Sequence, residues 1–273
     1  MAIFAGAVDP ERYLYHYTTR PAALGSILPQ AQLRLGPLTW TNDPRESQHG
    51  LVTLGAGGGD DDVVELLREA DRLIKGTAKV ACFSSDDADA AARPDDAFAR
   101  GWAHSRMWAQ YAAAHSGMCL VFDRAILGRA LQALGRGGDL WGGPIVYANR
   151  PYLPLDAATL SSEAIRDRGL GGVVEEHVRR HWHALFFVKN EDWATEREYR
   201  WVLRGGDSGP AFCSVSEALV GIVVGPAFPD GDARVLDEYA ERFGVRDAVV
   251  RCVWRNGYPS VVQGARGGAG TGR

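Results

Sequence analysis

The stretch KNEDWATEREYRWVL, residues 189–203, decides how the chain is read. From Glu196 onward it alternates as a half-buried strand does. Side chains two apart share a face. Glu196, Glu198, Arg200 and Val202 are therefore expected to point one way, and Arg197, Tyr199, Trp201 and Leu203 the other. The second set is aromatic and apolar enough to seat the strand on a core. The first sets two carboxylates roughly 7 Å apart, by the strand rise, with a guanidinium next along. Charges inside a sheet are costly unless they are paired or used. Two readings follow: a surface strand whose Glu198 and Arg200 form ion pairs, or a strand that floors a polar cleft.

Upstream, residues 11–18 (ERYLYHYT) read as a first strand with His16 near its end. Thr19 can cap a short helix with Pro21 in its first turn, and Pro29 closes it. Residues 32–35 form a brief strand, and WTNDPRES, residues 40–47, is a turn by its Asn, Asp and Pro content. A helix over 63–75 follows the loop GAGGGDDD at 55–62, whose aspartates suit a helix N-terminus better than a metal. KVACFS at 79–84 is a buried strand, and the polar, Ala-rich 86–96 is a loop or cover. Ser105 starts the helix SRMWAQYAAAH, which stops at Gly117. Strands are expected at 118–122, 144–147, 219–224 and 248–253, with helices to about Leu134, at 156–167, at 173–188 and at 233–243. The total is about eight short strands without regular crossover helices. An α+β fold with a bent or split, mostly antiparallel sheet fits that order. A single domain is expected over 1–262, followed by a disordered Gly-rich tail at 263–273.

At 273 residues, 46% hydrophobic and 23% charged, the composition is ordinarily globular. A net charge of −4 argues against a dominant nucleic-acid footprint, though a local basic groove remains compatible with it. No apolar run reaches 18 residues, so no membrane partner is expected. The opening MAIFAGAVDPERY has neither the basic start nor the apolar length of a signal peptide, and a cytoplasmic location is expected. Cys82, Cys119, Cys213 and Cys252 are widely spaced in apolar, strand-like settings and read as reduced thiols.

Recognised motifs are mostly excluded. GAGGG lacks the Lys-Ser/Thr of a phosphate loop, and no Gly-x-Ser-x-Gly elbow occurs. His177 and His181 are four apart, as zinc pairs are, but Val178 stands where a metalloprotease carries Glu; a polar helix face is the default and no metal is expected. His16 alone reads as a hydrogen-bonded structural residue or a catalytic one. Trp108 and Tyr111, three apart on one helical face, belong to a core or stack on a flat ring.

Taken together, YHYTT, ALGSIL, LRLGPLTWTNDPRES, ACFS, MWAQYAAAHSGMCLVFD and VKNEDWATEREYRWVL resemble the bacterial domain of unknown function family 2971 over about residues 13–225. That family carries no activity with it. The opening His16-x-Thr18, followed by a helix with Leu24, Ile27 and Leu28 and a short strand, is similar to the start of DarT-type ADP-ribosyltransferases. That resemblance implies a split sheet and NAD as the substrate. It makes His16 the first member of a triad, Glu198 the third, and Glu196 the first acid of a Glu-x-Glu pair. Trp108 and Tyr111 are the candidates for the middle member, read here on a helix rather than a strand. His16 and Thr18 would then contact the ribose and nicotinamide side, and Arg34, Arg45 or Arg106 the pyrophosphate. The activity implied is an NAD-consuming ADP-ribosyltransferase or NAD glycohydrolase, a toxin or phage-defence effector acting on an unknown protein or nucleic-acid acceptor. The alternatives are a non-catalytic module binding a nucleotide or partner protein, or a nuclease or phosphotransferase using the same cleft.

Overall fold

The computed structural model describes residues 3–4, 9–48, 50–55, 61–135, 138–149, 154–207 and 209–266. Its centre is a ten-stranded sheet, in an α+β arrangement with helices against it. In spatial order the strands are Ala211–Ser214, Gln32–Pro37, Ala78–Ser85, Tyr13–Thr18, Met118–Asp123, Leu219–Val224, Val249–Arg255 and Tyr258–Gln263. Glu198–Arg204 and then Asp139–Pro144 branch from Ala78–Ser85. Every neighbouring pair is antiparallel except Leu219–Val224 with Val249–Arg255.

Side-chain alternation assigns the core. In Tyr13–Thr18, Tyr13, Tyr15 and Tyr17 enter a cluster with Trp102, Trp108, Val121 and Val223, while Leu14 enters another with Leu120, Phe122 and Leu127. The helix Arg124–Leu134 covers the Leu14 side, its start fixed by Asp123, whose Oδ1 accepts from the backbone N–H of Ala125 and Ile126. The helices Asp61–Lys75 and Ser162–Phe186 pack beside Glu198–Arg204 through Ala70, Ile74, Val174, Val178, Val80 and Val202. Ser162–Phe186 leaves helical geometry at Gly169 and His181, which separates it into shorter pieces.

Several boundaries differ from expectation. DLWGGP at Asp139–Pro144 is a strand although it lacks β-branched residues. Tertiary packing overrides local preference there: a Cβ on Gly142 would lie 2.6 Å from the Trp201 ring. Ala211–Ser214 and Tyr258–Gln263 are further strands that short windows do not reveal. The expected helix at 156–167 is instead a short turn of helix at Leu155–Ala158 and the start of Ser162–Phe186. The segment after Asp86 is an ordered loop with 3-10 turns at Ala90–Ala92 and Ala97–Ala99, tied by Arg93 to Asp87, Asp89 and Asp96. Order also continues past residue 262: Ala265 is buried and its carbonyl accepts from Arg251. The rest of the expected tail, 267–273, and residues 56–60 of the acidic loop lie outside the described residues. Cys119, Cys213 and Cys252 are buried free thiols and Cys82 a half-buried one. Among the described residues no helix is long and apolar enough to cross a membrane.

Candidate functional site

The sheet divides at Ala78–Ser85. One edge of this strand pairs with Glu198–Arg204 from Ala78 to Ser84. The other edge takes Gly36 and Pro37 at Val80 and Lys79, and Leu14 and Tyr15 at Ser85 and Ser84. Residues 81–83 lie between these two pairings, where the neighbouring strands part. A pocket of about 390 Å³ opens there, lined among others by His16, Arg34, Trp40, Tyr111, Glu196 and Glu198. His16 fills part of the gap: its Nδ1 lies 3.0 Å from the Cys82 carbonyl oxygen. A carbonyl only accepts, so Nδ1 carries the hydrogen and Nε2 is left as an acceptor. Burial holds the imidazole pKa below its ordinary value and favours this neutral form.

The pocket floor is a connected set of charges. Glu191–Glu196 is a 3-10 segment, Arg197 takes a left-handed conformation (φ 46°), and the strand begins only at Glu198. Glu196 is therefore not on the strand, contrary to the alternation expected; the turn at Arg197 brings its carboxylate back beside Glu198. Lys189 Nζ lies 3.0 Å from Glu196 Oε2 and 2.6 Å from Glu198 Oε2. Arg200 Nε donates to Glu198 Oε1 at 2.6 Å, and its Nη1 donates to Glu46 and to the Phe186 carbonyl. Tyr111 Oη donates to Glu196 Oε1 at 2.6 Å. The Glu198 backbone N–H donates to Tyr147 Oη at 2.8 Å.

Arg200 has no exposed surface and Glu198 only 4%, so these are interior charges that persist because each is paired. Burial alone would push the Glu198 carboxyl up; Arg200 and Lys189 outweigh it and hold the pKa down at about 2. Burial works against the Lys189 ammonium too, but Glu198 raises its pKa well above the ordinary lysine value. Burial, then the bond to Glu196, pushes the Tyr111 hydroxyl up, so it stays a donor. In this cluster Glu46, Glu196 and Glu198 face Arg200 and Lys189, a formal excess of one negative charge; of these, Lys189, Glu196 and Glu198 line the pocket. At the mouth the sign reverses: exposed Arg34 lies over the ring of Trp40, itself 66% exposed.

Both readings of the opening stretch thus hold in part. Glu198 and Arg200 do pair, but in the interior, and Glu198 does line a cleft. Tyr199 and Leu203 are buried on the other face and Trp201 half-buried. His16, Arg34, Tyr111, Glu196 and Glu198 come together in the pocket; Thr18, Arg45, Arg106 and Trp108 are not among its lining residues. Thr18 pairs with Met118 inside the sheet. Trp108 is fully buried, edge-on to Tyr17, and donates from Nε1 to the Trp102 carbonyl. Arg45 spends its guanidinium on the Val188 and Ala184 carbonyls. Arg106 reaches Thr195 Oγ1 at an exposed position.

Sequence reasoning missed Lys189, Glu46, Asn42, Trp40 and Met107. Asp43 caps the helix Pro44–Ser47 by accepting from the Arg45 N–H, and that turn aims Glu46 at Arg200. The signal was present in the charged TNDPRES segment, which reads locally as a turn. His177 donates from Nε2 to the Ala157 carbonyl oxygen, 2.9 Å away, beside the His181 ring. No group of three or more His, Cys, Asp or Glu among the described residues is arranged to hold a metal ion.

A family model described as "Protein of unknown function (DUF2971)" matches residues 107–201. The match takes in Met107, Tyr111, Lys189, Glu196, Glu198 and Arg200, and ends short of the 13–225 span of the resemblance seen in sequence. His16 and Arg34, which also line the pocket, and Glu46, which pairs with Arg200, fall outside it. No curated protein and no solved structure matches the chain.

Proposed function

We propose that the pocket binds NAD and cleaves its nicotinamide–ribose bond, transferring ADP-ribose to an acceptor or to water. The observation that carries this reading is that His16 and the Glu196–Glu198 pair line one pocket whose floor is acidic and whose mouth is cationic. NAD has the complementary polarity: a cationic nicotinamide ring at one end of a ribose and a pyrophosphate beyond it. In the reaction the glycosidic bond breaks, nicotinamide leaves with the bonding pair, and the acceptor oxygen bonds to the sugar carbon. Positive charge develops on the ribose, as in glycoside cleavage. Ionised carboxylates fixed in a buried site stabilise that charge where it forms. A carboxylate then receives the proton lost by the acceptor. Arg34 at the mouth suits the pyrophosphate.

A second reading, a non-catalytic nucleotide-binding module, is favoured by the pairing of Glu198 with both Lys189 and Arg200. Nicotinamide release and NAD binding, measured on the same preparation, separate the two. Release that falls in Glu196→Gln supports catalysis; binding without release supports the module; neither sinks both. A toxin or defence role belongs to the catalytic reading, since uncontrolled NAD loss halts growth. Expression of the wild type but not of Glu198→Gln should then arrest cells and lower their NAD.

A further inference from the structure

We propose that Lys189 is a positioning residue whose ammonium bridges Glu196 and Glu198 and holds the two carboxylates side by side in the pocket. Its consequence for catalysis rests on the function proposed above; the charge state of the pair does not.

Among the described residues no other cation contacts both carboxylates. Lys189 Nζ is within 3.0 Å of Glu196 Oε2 and 2.6 Å of Glu198 Oε2, and its side chain is 7% exposed. Arg200 contacts Glu198 and Glu46 but makes no contact with Glu196. The other oxygen of Glu196 takes only the neutral hydroxyl of Tyr111. Remove the ammonium, and three carboxylates (Glu46, Glu196 and Glu198) share one guanidinium. Like charges at such spacing in a water-poor site do not all ionise; one takes up a proton. A single proton on the pair leaves one ionised carboxylate where there were two, and makes an acceptor into a donor.

Lys189 is also held where it cannot drift. Its backbone pairs in Val188–Lys189 with Val146–Tyr147, and its ammonium lies 5.1 Å from the Trp193 ring centroid. Among the described residues, Cys82 and Tyr147 are further ionisable groups beside the pair, and His16, Arg34, Tyr15 and Tyr17 line the same pocket. Burial raises the Cys82 thiol and the Tyr147 hydroxyl, so both stay neutral through the acid range. His16 is the other group able to take up a proton below neutrality, which requires a readout specific to carboxyl carbons.

The test is carbon-13 NMR of the full chain labelled at the glutamate carboxyl carbon, titrated from about pH 8 to about pH 3, a range bracketing free carboxylates. The two resonances are those lost in Glu196→Gln and Glu198→Gln. In the wild type the Glu198 signal should stay in its ionised position down to about pH 4. In Lys189→Met one proton should enter the pair with a midpoint about one unit or more higher, as for carboxylates sharing a site. Lys189→Arg should restore the wild-type curve. A Lys189→Met titration that overlays the wild type overturns the proposal. Nitrogen-15 spectra of the unmutated chain serve if Lys189→Met does not fold. A slowly exchanging Lys189 ammonium is expected, and a freely exchanging one overturns the bridge. If the wild type also releases nicotinamide, the acid limb of its pH profile should move upward in Lys189→Met. A wild type without release removes the proposed reaction and leaves the carboxyl titration decisive for Lys189.

Discussion

The His16 ring donates from Nδ1 to the carbonyl oxygen of Cys82, 3.0 Å away, at the place where the strands beside Ala78–Ser85 part. A side chain thus supplies the donor that a neighbouring strand supplies elsewhere along the edge. The same bond turns Nε2, the remaining acceptor, away from Cys82. One interaction therefore closes a gap in the sheet and sets the tautomer of a pocket residue.

Replacing His16 by Ala should act on both counts. The Cys82 carbonyl loses its partner, which costs about 1–3 kcal/mol for a buried group, read as a lower Tm. Nicotinamide release should fall more than tenfold, on the order of losing one hydrogen-bonded contact to the reacting sugar. His16→Asn recovers stability without recovering turnover. Equal recovery of both would show a structural role alone.

Glu198→Gln should reduce stability and turnover together. The change strips Lys189 and Arg200 of a shared counter-charge, and breaking a buried pair costs about 3–5 kcal/mol. Turnover should fall about a hundredfold or more, as for one preorganised electrostatic contact. Adding Arg200→Met should recover part of the Tm, because the cation left uncompensated is gone, and none of the turnover. Retained turnover with a large loss of Tm would remove Glu198 from the chemistry.

Acid should weaken the fold in two stages. His104 is held down at about 4, first by burial and then by the nearby Arg197, so the folded state resists a proton that the unfolded chain accepts. Stability should therefore fall as pH drops from the ordinary histidine value, about 6.5, toward 4. Glu198, held at about 2, is the opposite type of group. Its contribution is complete above the ordinary glutamate value, about 4.3, and is lost as pH falls through 2. Urea midpoints across this range should show the first stage flattened in His104→Gln and the second in Glu198→Gln. Unchanged slopes would contradict the assignment.

Gly101→Ala should disturb the pocket from behind. An added Cβ would lie 2.3 Å from Tyr15 Cδ2 and 2.9 Å from the Ser85 carbonyl oxygen. Tyr15 and Arg100 meet Asp86 there, and Tyr17 donates to the Gly101 carbonyl, so neither ring has room to yield. Overpacking of this kind costs about 1–3 kcal/mol. Thermal melting should show it, and a Tm equal to the wild type would refute the close contact.

Addition of a chelator should leave the melting curve unchanged, because His177 is engaged by the Ala157 carbonyl and the described residues hold no cluster suited to a metal. A marked drop in Tm would reveal a stabilising ion.

The order of strands and helices along the whole sequence pointed to the α+β character. Residues 189–203 by themselves determined the strand around Tyr199 and Leu203, and left the pairing of Glu198 with Arg200 as one of two readings. Those features follow from spacing of two along a strand, a local property. Local pattern also placed a strand at 118–122 and a helix running to about Leu134 after it. It misread Glu196, because the left-handed turn at Arg197 breaks the alternation without glycine to announce it. It missed DLWGGP, whose glycines are shaped by the Trp201 ring across the sheet. Only the tertiary structure decided that Lys189 pairs with Glu198, that Glu46 reaches Arg200, that His16 lines the same pocket as Glu198, and that Trp108 and Arg45 are spent elsewhere. The physical reason is that pairing a buried charge is a contact made in space. The residues that meet come from separate segments, and each segment read alone carries only an ordinary polar residue.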